Sequence, residues 1–177
     1  MRALVFCAGL GTRLRPVVKD CPKCMVKIGD KPILEHILKH LEKHGIEEVM
    51  INLHHRPLKF MRYFGTRLTY LYEKELLGEE KTIEVARPWL GDRFVVMNGD
   101  TLTNVNITKM IELHNRAKAG KTTFIDNEVN AGTWIYGQGI LEAKYQEPGA
   151  FWVDMGTPGG LEKARKKYEE VNNLSSL

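Results

Sequence analysis

The chain has 177 residues, of which 43% are hydrophobic and 27% charged, values typical of one globular domain with a buried core. The formal net charge of +4 comes from lysines and arginines interspersed with acidic residues, which excludes the basic patches typical of nucleic-acid binding. No apolar run reaches the roughly 18 residues that cross a bilayer, and the three cysteines do not form a disulfide framework. We therefore expect one cytoplasmic domain over residues 1–177 with a small anionic ligand.

Strands and helices alternate along the predicted order of elements. Strands are expected at residues 3–8, 48–53, 68–73, 93–97, 121–125 and 132–137, and helices at 33–44, 57–64, 80–88, 107–119 and 158–170. Pro158 suits the first turn of the last helix. This alternation favours a three-layer, Rossmann-like α/β fold with helices on both faces of a mostly parallel sheet.

The first predicted strand leads into a loop with the features of a phosphate site. The loop reads Gly9-Leu10-Gly11-Thr12-Arg13, and its glycines let backbone N–H groups approach an anion without a Cβ in the way. Arg13 offers a planar fork for phosphate oxygens, and Lys23 adds a movable positive charge. The loop lacks the Gly-Lys-Ser/Thr ending of a P-loop and the third glycine of the dinucleotide motif, so ATPase and oxidoreductase functions are disfavoured.

Four blocks of the sequence resemble, in order, those of the sugar-1-phosphate nucleotidyltransferase family. The blocks are residues 9–13, Pro22-Lys23 with the following residues to 28, Met97-Asn98-Gly99-Asp100-Thr101, and residues 151–158. The resemblance covers nearly the whole chain and implies a Mg²⁺-dependent enzyme of nucleotide-sugar biosynthesis. Such an enzyme transfers NMP from a nucleoside triphosphate, here GTP or UTP, to a sugar 1-phosphate, giving an NDP-sugar and pyrophosphate.

The resemblance also implies roles for individual residues. Asp100 and Asp154 are expected to bind Mg²⁺, Arg13 the departing phosphates and Lys23 the reacting ones, and these four are the expected catalytic residues. The expected nucleotide-binding residues are Ala8, Gly9, Leu10, Gly11, Thr12, Arg13, Lys23, Gly78, Asn98 and Gly99. The expected substrate-binding residues are Asn130, Gly132 and Glu128.

Asp100 and Asp154 each have a structural interpretation too. The Asn98-Gly99-Asp100 segment is ordinary turn chemistry, and Asp154 interrupts an apolar segment where a buried carboxylate would need a metal or a hydrogen-bond donor as partner. Ligands of parallel sheets bind beyond the carboxyl ends of the strands, where both the glycine loop and Asp100 are expected. If the two strands before them are neighbours, Asp100 comes within reach of a metal bound to the phosphates.

Three segments depart from the family pattern. Where relatives read the base with small residues, this chain has Glu79-Glu80-Lys81 after Gly78, which leaves the base unidentified. A longer sugar-phosphate segment is missing between Thr123 and Asn130, and residues 139–146 also look shortened. The compact chain predicts an open site, a small acceptor, or a homodimer in which a partner subunit supplies the missing wall.

The shortened segments keep two other functions open. One is a catalytically idle, nucleotide-sugar-binding regulatory protein on the same fold, although such a protein would not need both metal ligands. The other is a cytidylyltransferase that acts on a non-sugar phosphate such as phosphocholine. His36, His40 and His44 recur every four residues on the first helix, and we expect them on a solvated face rather than in a metal site.

Overall fold

The computed structural model describes residues 1–14, 17–19 and 21–174. The strands are β1 (Arg2–Phe6), β2 (Lys27–Ile28), β3 (Lys31–Pro32), β4 (Val49–Leu53), β5 (Thr69–Tyr72), β6 (Phe94–Asn98), β7 (Thr101–Thr103), β8 (Ala119–Asp126), β9 (Val129–Tyr136), β10 (Leu141–Tyr145) and β11 (Trp152–Asp154). The helices are α1 (Ile33–Lys43), α2 (Pro57–Phe64), α3 (Glu79–Leu90), α4 (Ile107–Ala117) and α5 (Pro158–Leu174). None of the described helices has the length and apolar character needed to cross a membrane.

Seven strands form the central sheet, in the order β10-β8-β9-β6-β1-β4-β5. The first strand, β1, lies between β4 and β6 and runs parallel to both. The loops that follow these three strands therefore leave the sheet at one edge. Strand β9 is antiparallel to both of its neighbours. The predicted Rossmann-like, mostly parallel α/β fold is confirmed.

Helices cover the two faces of the sheet unequally. Residues of α1, α2, α4 and α5 join a large buried cluster that includes Ala3 and Val5 of β1. The intervening Leu4 points to the other face, where it belongs to a smaller cluster with Ile83 and Ala86 of α3. This alternation follows the two-residue period of a strand. Among the described helices, α3 is the one that contributes buried residues to this second face.

Five strands, β2, β3, β7, β10 and β11, are absent from the predicted set. Four of them have only two or three residues, which is too short for a two-residue period to be recognised in a sequence. β11 pairs antiparallel with β7, and Asp154 lies opposite Thr101 in this ladder. The β7–β11 ladder matters because it joins residues 151–158 to the segment after β6.

The expectation that His36, His40 and His44 line a solvated face is wrong. Nε2 of His36 and Nε2 of His40 donate to the carbonyl oxygens of Ile28 and Val105, each at 2.9 Å, and His44 contacts the first turn of α4. Burial is the main cause that lowers the pKa of His40 to about 4, and His44 adds to it. The three partly buried rings attach α1 and its C-terminal end to neighbouring segments.

Candidate active site

Lys23 and Asp100 form an ion pair at the carboxyl edge of the sheet. Lys23 begins a short 3-10 turn after Pro22, and Asp100 follows β6 in the turn before β7. The Lys23 Nζ to Asp100 Oδ2 distance is 2.8 Å, and the two side chains are 15% and 20% exposed. Because β1 and β6 are neighbours, the glycine loop after β1 and Asp100 after β6 leave the sheet side by side, as expected.

Three charged side chains surround Gly156, and the fourth, that of Asp100, is paired with one of them, Lys23. A Cβ added to Gly156 would lie 2.8 Å from Asp154 Oδ1, 3.0 Å from Lys23 Nζ and 3.1 Å from Arg13 Nη2. The Gly156 N–H donates to Asp154 Oδ1 at 2.5 Å, and the N–H of the residue before it donates to the carbonyl oxygen of Asp100 at 2.9 Å. Two positive and two negative groups, which are the four predicted catalytic residues, therefore lie in one cluster.

Asp154 is exposed, contrary to the expectation that its apolar surroundings bury it. Its neighbour Met155 is fully buried, because side chains alternate between opposite faces along an extended segment. The carboxylate thus needs no partner to offset a cost of burial. Its functional interest comes from its place beside Lys23 and Arg13.

A cavity of about 350 Å³ adjoins the ion pair of Lys23 and Asp100. The predicted nucleotide-binding residues in its wall are Ala8, Gly9, Lys23, Gly78 and Asn98. Its other lining residues are Phe6, Cys24, Asn52, Glu73, Leu76, Glu79, Thr82 and Asp100. A larger groove, of about 700 Å³, lies at the amino end of β8 around His114 and Lys118 and includes none of these residues.

The remaining residues of the glycine loop lie beside the cavity rather than in its wall. Gly11 has a φ of +64°, and a Cβ there would lie 3.1 Å from Lys23 Cγ. The loop therefore packs against the stem of the lysine, and a positive φ favours glycine at this position. Leu10, Thr12 and Arg13 are exposed.

Gly99 lets three chain segments approach one another beneath the ion pair. Its N–H donates to the carbonyl oxygen of Phe6 at 3.0 Å. A Cβ at this position would lie 2.6 Å from that oxygen and 2.7 Å from the sulfurs of Cys7 and Cys24. Burial, followed by the neighbouring thiol of Cys24, raises the pKa of Cys7 well above its usual value. The close packing explains why a glycine stands before Asp100.

A buried chain of hydrogen bonds connects the two sides of the cavity. Asn52, at 5% exposure, accepts from the Cys7 N–H through Oδ1 at 2.7 Å and donates through Nδ2 to Glu73 Oε1 at 2.9 Å. The Thr82 hydroxyl donates to the same Glu73 oxygen at 2.6 Å, and the Leu77 N–H donates to Glu73 Oε2 at 3.2 Å. None of these residues is in the predicted site. The available signal is a polar residue near the end of an otherwise apolar strand.

The predicted substrate-binding residues are divided between two places. A Cβ on Gly132 would lie 2.9 Å from Asn98 Nδ2, and Asn130 Oδ1 accepts from the Gly132 N–H at 3.0 Å, so both lie close to a cavity residue. Glu128 lies in the turn between β8 and β9 and forms an exposed ion pair with Lys144 at 3.6 Å. The sugar-phosphate roles of all three stay predictions.

Comparisons with known proteins add independent information on the family. A family model described as nucleotidyl transferase matches residues 2–138. A D-glycero-alpha-D-manno-heptose 1-phosphate guanylyltransferase from Aneurinibacillus thermoaerophilus is 38% identical over 128 residues, which cover 69% of this chain and 56% of that protein. A UTP–glucose-1-phosphate uridylyltransferase from Synechocystis is 32% identical over 147 residues, covering 73% of this chain and 38% of that protein. The chain thus spans about half or less of the length of these relatives.

A solved structure of similar fold is that of HddC from Yersinia pseudotuberculosis, with a TM-score of 0.80. It is 21% identical, and the match covers 94% of this chain and 99% of that one. The family match extends over more than half of the chain and includes the glycine loop, Lys23 and Asp100. The chain therefore belongs to the nucleotidyl transferase family.

Proposed function

We propose that this chain transfers NMP from a nucleoside triphosphate to a sugar 1-phosphate, releasing pyrophosphate and giving an NDP-sugar. The observation that carries the proposal is the cluster of Arg13, Lys23, Asp100 and Asp154 beside a cavity whose wall includes Gly9, the first residue of the glycine loop. GTP is the preferred donor because two relatives that are 37% and 38% identical are guanylyltransferases. UTP is the second choice, since a uridylyltransferase is also related.

In the proposed reaction, a phosphate oxygen of the sugar 1-phosphate attacks the α-phosphorus of the triphosphate in line. The new P–O bond forms as the bond from the α-phosphorus to the bridging oxygen breaks, and pyrophosphate leaves with that electron pair. Lys23 neutralises charge on the reacting phosphates and Arg13 on the departing ones. The main work of the protein is to hold two anions together against their mutual repulsion.

The same cluster suits Mg²⁺. Asp100 and Asp154 supply hard carboxylate oxygens close to Lys23, and Mg²⁺ is commonly held by one or two carboxylates together with waters and substrate phosphates. Among the described residues, no group of three or more histidines, cysteines, aspartates and glutamates converges on a point, so waters and phosphates would complete the coordination. When bound, Mg²⁺ neutralises charge on the phosphate oxygens.

The proposal is tested by measuring pyrophosphate release over a panel of GTP, UTP and CTP with sugar 1-phosphates and phosphocholine. We expect Asp100→Asn and Lys23→Met each to lower turnover about a hundredfold or more, as loss of a single charge-stabilising group does at other active sites. Lys166→Met is the matched control, because Lys166 is 71% exposed on α5 and pairs only with Glu162 among the described residues. Chelation by EDTA is expected to abolish turnover and added Mg²⁺ to restore it.

Three outcomes would change the proposal. Full turnover in Asp100→Asn or Lys23→Met, with wild-type melting temperatures, would contradict the assigned roles. Binding of GTP by the wild type without any pyrophosphate release would favour the idle, nucleotide-sugar-binding protein. Turnover with CTP and phosphocholine alone would favour the cytidylyltransferase.

A further inference from the structure

We propose that Asn52 is a positioning residue that couples the glycine loop to the 73–79 segment and thereby sets the affinity for the nucleotide. This inference rests on the proposed function, because it takes the 350 Å³ cavity as the nucleotide site. Asn52 lies near the end of β4, between β1 and β5. Its side chain links two chain segments that line the cavity, the residues before the glycine loop and the 73–79 segment.

The side-chain amide of Asn52 makes one hydrogen bond through its oxygen and another through its nitrogen. Oδ1 accepts from the Cys7 N–H at 2.7 Å, and Cys7 comes two residues before Gly9. Nδ2 donates to Glu73 Oε1 at 2.9 Å, and Glu73 follows β5 at the start of the opposite segment. One short side chain therefore fixes the backbone before the phosphate loop and a carboxylate across the cavity at the same time.

Glu73 extends the link into α3. Glu73 is 3% exposed, and the donors that reach its carboxylate from the described residues are neutral. Besides Asn52, these are the Thr82 hydroxyl in the first turn of α3 and the Leu77 N–H in the preceding loop. A buried carboxylate is tolerated when several donors satisfy it. Removing the Asn52 donor therefore loosens the carboxylate that holds both the loop and the helix.

Asn52→Asp separates the two halves of the amide. The variant keeps an oxygen for the Cys7 N–H but replaces the donor toward Glu73 with a second carboxylate. Two adjacent carboxylates cannot both ionise easily, so one of them keeps a proton to a higher pH than an isolated aspartic acid. When that proton is present, a carboxylic O–H donates to the other carboxylate, and a hydrogen bond between positions 52 and 73 is restored. At higher pH the link is broken by repulsion.

Other titratable groups face the same cavity. These groups are Lys23, Cys24, Glu79 and Asp100 in its wall, and His54, whose Nδ1 donates to the Glu73 carbonyl oxygen at 2.9 Å. They are the same in the variant and in the wild type. Only the difference between the two pH profiles is therefore assigned to position 52.

The experiment measures the equilibrium dissociation constants of GTP and UTP, each with Mg²⁺, between pH 5.5 and 8.5. We expect Asn52→Asp to bind within about threefold of the wild type at pH 5.5 and about tenfold or more weakly at pH 8, the effect of one lost hydrogen bond to a charged group. Turnover at saturating nucleotide should change less than the affinity does. Asn115→Asp is the matched control, since Asn115 is exposed and accepts a hydrogen bond from Arg93 outside the cavity.

A second variant keeps the test decisive if Asn52→Asp does not fold. Thr82→Val keeps the side-chain shape and removes one donor from the same Glu73 oxygen, so we expect weaker nucleotide binding with little change in saturated turnover. Unchanged affinity in both variants, or in Thr82→Val alone if the first does not fold, would overturn the inference. So would an equal loss in Asn52→Asp at every pH. If the wild type binds GTP or UTP but has no turnover, the proposed function is wrong. The affinities of the variants still test the coupling through Asn52.

Discussion

Two glycines near the start of α5 have very different surroundings. Gly156 is buried, and the atoms nearest to an added Cβ are the ends of Asp154, Lys23 and Arg13, all within 3.1 Å. Gly159 has no atom within 4 Å of an added Cβ. Because the crowded atoms at Gly156 are the tips of flexible charged side chains, they can move at little cost in stability. The positions of these charged side chains therefore depend on the absence of a Cβ at Gly156, whereas the fold does not.

We predict that Gly156→Ala lowers turnover more than it lowers stability. The methyl group displaces the charged tips, and a misplacement of about 1 Å in a catalytic group can cost about a hundredfold in rate. We expect pyrophosphate release to fall at least tenfold, with a melting temperature within a few degrees of the wild type. Gly159→Ala is the control and should keep full turnover. Equal turnover in the two variants would contradict this role for Gly156.

At this scale the sequence is a good guide to charged residues and a poor guide to buried polar ones. Arg13, Lys23, Asp100 and Asp154 were predicted from their motifs and do lie together, although the catalytic role of each is still a prediction. Asn52 has no motif around it, since its importance arises from a hydrogen bond to a residue 45 positions away. Such a contact depends on strand order, which a single polar residue in a strand does not reveal.

Helix α1 is attached to its neighbours by polar contacts as well as by its apolar face. Burial is the main cause that lowers the pKa of His40 to about 4. Its Nε2 donates to the carbonyl oxygen of Val105, just before α4. In the folded protein the ring is therefore neutral at pH values where the ring in an unfolded chain is already protonated.

We predict that His40 makes the protein less stable in mild acid. A folded-state pKa below the unfolded value means that the unfolded chain binds the extra proton first. The contribution of His40 to stability is therefore complete above about pH 6.5 and is lost as the pH falls toward 4, by up to about 3 kcal/mol. His40→Gln retains a donor for Val105 and should show a shallower loss. The free energy of urea unfolding between pH 7 and 4 measures this, and equal slopes in the two proteins would rule it out.

Some helices and strands have an apolar pattern that can be recognised in the sequence, and others do not. The long helices were predicted with the correct type because their apolar periods extend over many residues, and the buried strands because they are short, continuous apolar runs. Strand β10 was not, although it has five residues, because it lies at the edge of the sheet and only Tyr145 is buried. β7 and β11 are held by pairing with each other. Their stability is tertiary, so the local sequence carries little sign of it.

In the whole molecule, the site depends on the order of strands in the sheet. The glycine loop, Asn52 and Asp100 come from three strands that are neighbours, although they are far apart in sequence. The general position of a site beyond the carboxyl ends of parallel strands was predictable. The antiparallel direction of β9 and the short strands β7 and β11, which bring Asp154 to the cluster, were not. They result from long-range pairing rather than from local propensity.

We predict a gradient of local stability from the centre of the sheet to its edge. β1 is paired on both sides, whereas β10 is paired with β8 alone and begins with an exposed Leu141. Amide hydrogens of β1 should exchange only on global unfolding, while those of β10 should exchange at least about tenfold faster through local opening. Hydrogen exchange followed by mass spectrometry can compare peptides covering the two strands. Equal protection would mean that another part of the protein or a partner covers β10.

Helix α3 contributes both to the wall of the cavity and to the core on the second face of the sheet. Its first turn lines the cavity through Glu79 and Thr82, while its Ile83, Ala86 and Leu90 belong to the cluster that closes the second face of the sheet. Any outward swing of this helix would expose Leu4, Met50, Phe94, Val96 and Trp134 to water, at about 25 cal/mol for each Å² uncovered. Opening the cavity to a ligand by moving α3 would therefore be costly. The loop before α3 contributes no residue to this cluster and its Leu76 is exposed, so movement of that loop would uncover none of the core.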